Sequence, residues 1–261
     1  MEKYINEIIC GDNVEVLREF PDESIDLTVT SPPYDNLRTY NGFEWDFEGL
    51  AQELYRVTKD GGVVVWVVND ATVNGSETGT SFKQALYFKD VGFNIHDTMI
   101  WRKTNPIPND PRQNRYIQCF EYMFVFSKGR PSTCNYLMEE SKLAGVVAGQ
   151  GTARRPDGSV RIDRVEKRRG SQVNKLKPLS NIWDISTSTE RDISHPAMYP
   201  NRVASNHIVS WSNPGDIVLD PFIGSGTTAK MAVLNDRKYI GIDISEEYCN
   251  LARKRVSEAI N

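Results

Sequence analysis

Histidine is scarce in this chain, with only His96, His195 and His207 among 261 residues, and that argues against a histidine metal site. Cys10, Cys119, Cys134 and Cys249 are widely spaced and include no Cys-x-x-Cys pair. This spacing supports neither a zinc site nor a recognisable disulfide framework, so the four read as reduced, mostly buried small residues. No apolar run approaches the roughly 20 residues of a bilayer span, and the polar start Met1-Glu2-Lys3 leads into no signal-peptide pattern. The expectation is a cytoplasmic protein with no membrane partner and no metal. The full Gly-x-Gly-x-x-Gly fingerprint of dinucleotide sites is missing as well. What remains is a composition 39% hydrophobic and 25% charged, typical of a globular protein, and a length that fits one large α/β domain with a small insertion.

The most informative stretch is Thr30-Ser31-Pro32-Pro33-Tyr34. It follows Ile25-Asp26-Leu27-Thr28-Val29, a β-branched run bounded by Pro21 and the double proline, which reads as a buried strand. The motif therefore sits at the carboxyl end of a strand, the edge at which open α/β sheets bind ligands. Pro32 and Pro33 fix φ and remove two N–H donors. Their carbonyls are thereby left unclaimed by a sheet ladder, so the Ser31 side chain and the Pro32 carbonyl form a rigid row of acceptors. Tyr34 adds an aromatic face on which a base can stack, worth roughly 1–3 kcal/mol. Acceptors for an exocyclic NH2 beside a stacking ring describe a nucleobase pocket. Taken alone, the stretch fits a double-proline turn with a core tyrosine equally well.

The second half of the chain tips that balance. Ile217-Val218-Leu219 follows Asn213-Pro214-Gly215 and leads into Asp220-Pro221-Phe222-Ile223-Gly224-Ser225-Gly226-Thr227-Thr228, the pattern of a strand, a glycine-rich turn and a helix start. Gly224 and Gly226 allow close backbone approach to a ligand, and a helix opening near Thr227 brings unpaired N–H groups. Farther on, Tyr239-Ile240-Gly241-Ile242-Asp243 reads as a second strand ending in a carboxylate placed to accept from ribose hydroxyls. This suits a nucleoside cofactor better than a pyrophosphate.

Together, Leu219 to Thr228 and Val29 to Tyr34 resemble the S-adenosylmethionine-dependent amino DNA methyltransferases, which methylate cytosine N4 or adenine N6. The catalytic motif precedes the cofactor motif, as in the circularly permuted beta class. The resemblance covers most of the chain and is weakest between about 127 and 180. It implies an α/β Rossmann-like methyltransferase fold, a mostly parallel central sheet with helices on both faces. It further implies S-adenosyl-L-methionine as cofactor, double-stranded DNA as partner, base flipping, and a prokaryotic or phage origin. The implied catalytic residues are Ser31, Pro32, Pro33 and Tyr34. The implied cofactor residues are Asp12, Asp220, Pro221, Phe222, Gly224, Gly226, Thr227 and Asp243. Gly11-Asp12 in this family reads the adenine amino group, while Asp12 is equally placed to cap the helix suggested by Val14, Val16, Leu17 and Phe20. Methyl transfer from a sulfonium needs neither a metal nor a cysteine nucleophile. His195-Pro196-Ala197-Met198-Tyr199-Pro200 resembles the family's His-Pro-Thr-x-Lys-Pro element but departs from it at Ala197 and Tyr199. Ser31 looks like the cytosine-N4 signature and puts that target slightly ahead of adenine N6. A homodimer and a restriction endonuclease partner stay open, as do three rival readings: an RNA methyltransferase, a protein glutamine methyltransferase, or an inactive nucleic-acid-binding module.

Charge distribution matters more than its sum of −4. Ser127 to Ser180 holds 12 Lys and Arg against 5 Asp and Glu, a net of +7, which leaves −11 for the rest of the chain. Local phosphate neutralisation on an otherwise acidic enzyme has this signature. A solvated basic insertion with no partner would share it. The resemblance implies more, because in the beta class the target-recognition region lies between the catalytic and cofactor halves. Residues 127–180 are thus expected to be a basic target-recognition insertion between two parts of the methyltransferase domain, 1–126 and 181–261. Among the other elements, Tyr4 to Cys10 and the continuous apolar run Val63 to Val68 read as strands, the latter as a central parallel one. Phe47 to Lys59 has helical spacing and is expected to end at Gly61-Gly62. Asn69-Asp70 lies on the same edge as Tyr34, either lining the pocket or capping a turn.

Overall fold

The computed structural model describes residues 1–33, 45–108, 114–147, 157–159, 171–187 and 199–260. They fall into two compact units, 1–135 with 181–261, and 136–180.

The first unit is built on an eight-stranded sheet. In chain order its strands are β1 (Glu7–Cys10), β2 (Ile25–Thr30), β3 (Thr58–Val68), β6 (Asn94–Lys103), β7 (Phe120–Ser127), β10 (Ile182–Ile185), β11 (Ile217–Asp220) and β12 (Lys238–Asp243). A small hairpin supplies β4 (Thr72–Val73) and β5 (Ser76–Glu77). Across the sheet the order is β1-β12-β11-β2-β3-β7-β6-β10, with only β7 antiparallel to its neighbours β3 and β6. The expected mostly parallel α/β architecture is present. β3 is parallel to β2 alone, because its other neighbour β7 runs the opposite way.

The helices are α1 (Asn13–Arg18), α2 (Phe47–Val57), α3 (Thr80–Val91), α4 (Asn201–Trp211), α5 (Thr227–Leu234) and α6 (Glu246–Ile260). Strand side chains alternate, so each strand feeds two cores. On one face Val64, Trp66, Val68, Phe124, Phe126, Ile240 and Ile242 pack with Leu17, Leu50, Leu54 and Phe88 from α1, α2 and α3. On the other, His207 of α4 reaches the Met123 sulfur at 3.2 Å. Each fully buried Leu, Ile or Phe contributes about 1.5–3 kcal/mol to this sandwich.

Two local expectations are corrected. The N-terminal strand is only Glu7–Cys10; a 3-10 turn, Glu2–Tyr4, precedes it, and Asn6 at φ 62° breaks the extended run. Helix α2 ends at Val57, before Gly61-Gly62. Thr58 already pairs with Ile25 of β2, and its hydroxyl donates to the Leu54 carbonyl at 2.6 Å. Gly61, at φ 77°, instead shapes an irregular start to β3, where its N–H reaches the Lys128 carbonyl. The cysteines also differ from expectation: Cys249 is buried, but Cys10 and Cys134 are exposed.

The second unit begins at Tyr136 rather than at 127. β7 runs through Ser127, and Ser132 and Asn135 bond to Gly61 and Ser210, so residues 127–135 belong with the sheet. Within 136–180 the strands β8 (Met138–Glu140) and β9 (Leu176–Pro178) form an antiparallel pair.

Candidate active site

The sheet order places two motif-bearing strands side by side. From β2 the chain crosses to β3, while from β11 it crosses the other way, to β12. Adjacent parallel strands with oppositely directed connections open a crevice at their carboxyl ends, where ligands bind in doubly wound folds. Ser31-Pro32-Pro33 leaves β2 at one wall of this crevice, and Asp220 to Gly226 leaves β11 at the other. Pro32 is buried, and Ser31 and Pro33 are half-buried. Tyr34 lies outside the described residues, as do His195 to Met198.

The residues expected on the cofactor side do different work. Asp243 ends β12, between β1 and β11. Its Oδ2 accepts the Gly224 N–H at 3.0 Å and its Oδ1 the Ser245 N–H at 2.9 Å, while its backbone carbonyl accepts the Gly11 N–H at 2.9 Å. Burial raises its pKa from the ordinary aspartate value, against the pull of the backbone N–H groups. Asp12 caps α1 through the Glu15 N–H at 3.0 Å, which engages one of its two oxygens. Next to it, the Asn13 side-chain amide donates to the Pro221 carbonyl at 3.2 Å and joins the two turns. Phe222 stacks edge-on against Trp45 at 5.0 Å between ring centres.

Gly224 and Gly226 both adopt positive φ, 49° and 85°. A Cβ on Gly226 would sit 2.9 Å from the Ala252 Cα, so this glycine is required by the approach of α6. Thr227 opens α5 and is buried. The same turn is gripped by Arg255, whose Nη1 donates to the Ser225 carbonyl at 2.6 Å and the Ser225 hydroxyl at 3.0 Å. Arg255 is 5% exposed, and nothing in the sequence around it distinguishes it from the other cations of α6.

Asp220 is 1% exposed. Burial pushes its carboxyl up to about 6, against the opposing pull of hydrogen bonds from Thr228, Thr30 and the Phe222 N–H. Asp70 is a cap: it accepts from the Ser81 N–H at 2.9 Å and the Ser81 hydroxyl at 2.6 Å at the start of α3. Asn69 points instead to the Phe120 carbonyl at 3.4 Å.

These features define a doubly wound α/β fold with a crevice where β2 and β11 part. A family model described as DNA methylase matches residues 25–254, and the chain belongs to that family. An orphan methyltransferase, M.BamHII of Bacillus amyloliquefaciens, is 55% identical over 250 residues, which cover 92% of this chain and 91% of that protein. The type II methyltransferase M.SmaI of Serratia marcescens is 27% identical, covering 95% and 90%. Among solved structures, the PvuII DNA methyltransferase (cytosine-N4-specific) superposes with a TM-score of 0.69 at 22% identity, covering 95% and 85%. A putative DNA modification methylase from Thermus thermophilus, complexed with S-adenosyl-L-methionine, gives 0.65 at 25% identity, covering 98% and 94%. The chain is thus a DNA methyltransferase of the amino-methylating type. Among the described residues, no helix is long and apolar enough to cross a membrane.

Proposed function

We propose that this enzyme transfers a methyl group from S-adenosyl-L-methionine to the exocyclic amino group of a flipped base in DNA, with cytosine N4 the favoured target. The observation that carries the reading is the crevice between β2 and β11, which brings the Ser-Pro-Pro turn and the glycine turn to one sheet edge. The fit to the cofactor rests on charge. Asp12 and Asp243 flank a turn that lacks the third glycine of a pyrophosphate cradle, so the site opposes a dianionic phosphate and suits a cationic nucleoside. Asp243 would hold the ribose hydroxyls, Asp12 the adenine amino group, and the Gly224 to Thr227 turn the amino-acid end.

When bound, the cofactor supplies an electrophilic methyl on a sulfonium. The protein's task is to aim the amino nitrogen, whose lone pair is conjugated into the base. Acceptors at Ser31 and the Pro32 carbonyl take the NH2 hydrogens and favour a pyramidal nitrogen, so that its lone pair faces the methyl while Tyr34 stacks on the ring. Ser31 and the Pro32 carbonyl would hold the amino nitrogen in line with that methyl, and the proton that the methylated amino group loses would leave to solvent. Positioning and acceptor electrostatics supply the rate. Flipping the base costs a few kcal/mol.

The unit at 136–180 is assigned to target recognition. It carries ten Lys and Arg against five Asp and Glu, the charge needed to neutralise phosphates. Lys177 and Lys175 of its strand pair face Glu139 and Glu140, at 2.8 and 3.9 Å, and the arginines from 154 to 169 fall outside the described residues. Cytosine is favoured because Ser31 stands where adenine-specific members usually carry Asp or Asn. Mass spectrometry of nucleosides from unmethylated duplex DNA, incubated with protein and S-adenosylmethionine, tests both levels. N4-methylcytosine is the expected product. N6-methyladenine would overturn the base assignment alone, and absence of either with cofactor bound would overturn the DNA substrate.

A further inference from the structure

Thr30, the residue immediately before Ser31, is fully buried at the last position of β2. Its hydroxyl donates to Asp220 Oδ1 at 2.6 Å across to the end of β11. That same oxygen accepts the Phe222 N–H at 3.0 Å, and Oδ2 accepts the Thr228 hydroxyl at 2.6 Å. Thr228 Oγ1 also lies 3.1 Å from the Val29 carbonyl and bonds the Tyr199 hydroxyl. Either oxygen can be the donor between Tyr199 and Thr228. One buried carboxylate therefore collects donors from the base-side strand, the glycine turn and helix α5, with a phenol behind them.

We propose that Thr30 is a positioning residue for methyl transfer, acting through Asp220 to hold the Ser31-Pro32 acceptors in register with the cofactor turn. The inference rests on the DNA amino-methyltransferase reading and goes beyond it by assigning the physical link between the two walls of the crevice. Thr30 touches neither ligand in this scheme. Its hydroxyl fixes the backbone one residue ahead of the acceptors, and in-line transfer is far more sensitive to sub-ångström misplacement than ground-state binding is. A Thr30→Val substitution keeps the shape but removes the donor, while Thr30→Ser keeps the donor.

The test measures kcat, the KM for DNA and the Kd of S-adenosylmethionine for wild type, Thr30→Val and Thr30→Ser, with melting curves for each. The expected result for Thr30→Val is a fall in kcat of about 10- to 100-fold, with cofactor Kd and DNA KM changed less than about threefold and most of kcat restored in Thr30→Ser. Combining Thr30→Val with Ser31→Ala should cost less than the product of the two single losses, as for groups that act as a unit. A wild-type kcat in Thr30→Val overturns the link. So does a parallel loss of kcat, cofactor affinity and melting temperature that Thr30→Ser fails to restore, because that pattern reports a structural role only. Absence of transfer to any DNA base by the wild-type chain would overturn the methyltransfer reading itself and the link with it.

Discussion

Gly224 donates its backbone N–H to the Asp243 carboxylate at 3.0 Å, so the first glycine of the turn after β11 is tied to the end of β12. The carboxylate proposed to hold the ribose also shapes the loop beside it, so removal of Asp243 should have two separable effects. Asp243→Asn keeps one acceptor for the loop but loses the charge, whereas Asp243→Ala orphans the Gly224 and Ser245 N–H groups as well. Isothermal titration with S-adenosylmethionine should show affinity reduced about tenfold in the first and further in the second, since each charge-assisted hydrogen bond is worth about 1.5–3 kcal/mol.

In the proposed base pocket, Ser31 would orient the amino group and Tyr34 would stack on the base. Ser31→Ala should lower kcat while leaving DNA affinity nearly unchanged. Tyr34→Ala should lower kcat further and weaken binding of a flipped base, by about 1–3 kcal/mol of lost stacking. Steady-state kinetics on a short duplex checks both, and wild-type turnover in two folded variants would sink the pocket assignment.

At Gly226 a side chain is excluded twice, by a φ of 85° and by the Ala252 backbone 2.9 Å from where a Cβ would be. Gly226→Ala should therefore destabilise the fold by about 1–3 kcal/mol, seen as a lower melting temperature. Gly224 also lies in the left-handed region, at a φ of 49°, so Gly224→Ala adds backbone strain there as well.

Two buried groups give stability opposite pH dependences in overlapping windows. His207 is held neutral by burial, its pKa lowered from 6.5 to about 3. Its contribution is complete above pH 6.5 and is lost as pH falls toward 3. Asp220 is raised from 3.8 to about 6, so its contribution is complete below 3.8 and is lost as pH rises through 6. The His207 displacement is the larger, so the pair should weaken the protein on acidification. Melting curves between about pH 4 and 7 should show a shallower acid loss in His207→Leu than in wild type, and a steeper one in Asp220→Asn. Identical slopes in all three would refute the assignment.

What the sequence determined by itself is local. Two prolines after a β-branched run, or Gly224 and Gly226 between a short strand and a helix, specify their turns through φ restrictions that neighbouring residues alone decide. The class of fold and the residues on its binding edge followed from those turns, and the resemblance they carry supplied the family. Roles that depend on distant partners were decided only by tertiary structure. Asp220 read as a cofactor contact, yet its carboxylate faces inward to Thr30, 190 residues away in the chain. Gly226 owes its identity to Ala252, Arg255 grips Ser225, and β7 runs antiparallel beside β3. Strand order and buried polar partners are set by which surfaces and donors meet once the chain has closed on itself. No periodicity or motif spacing records that pairing.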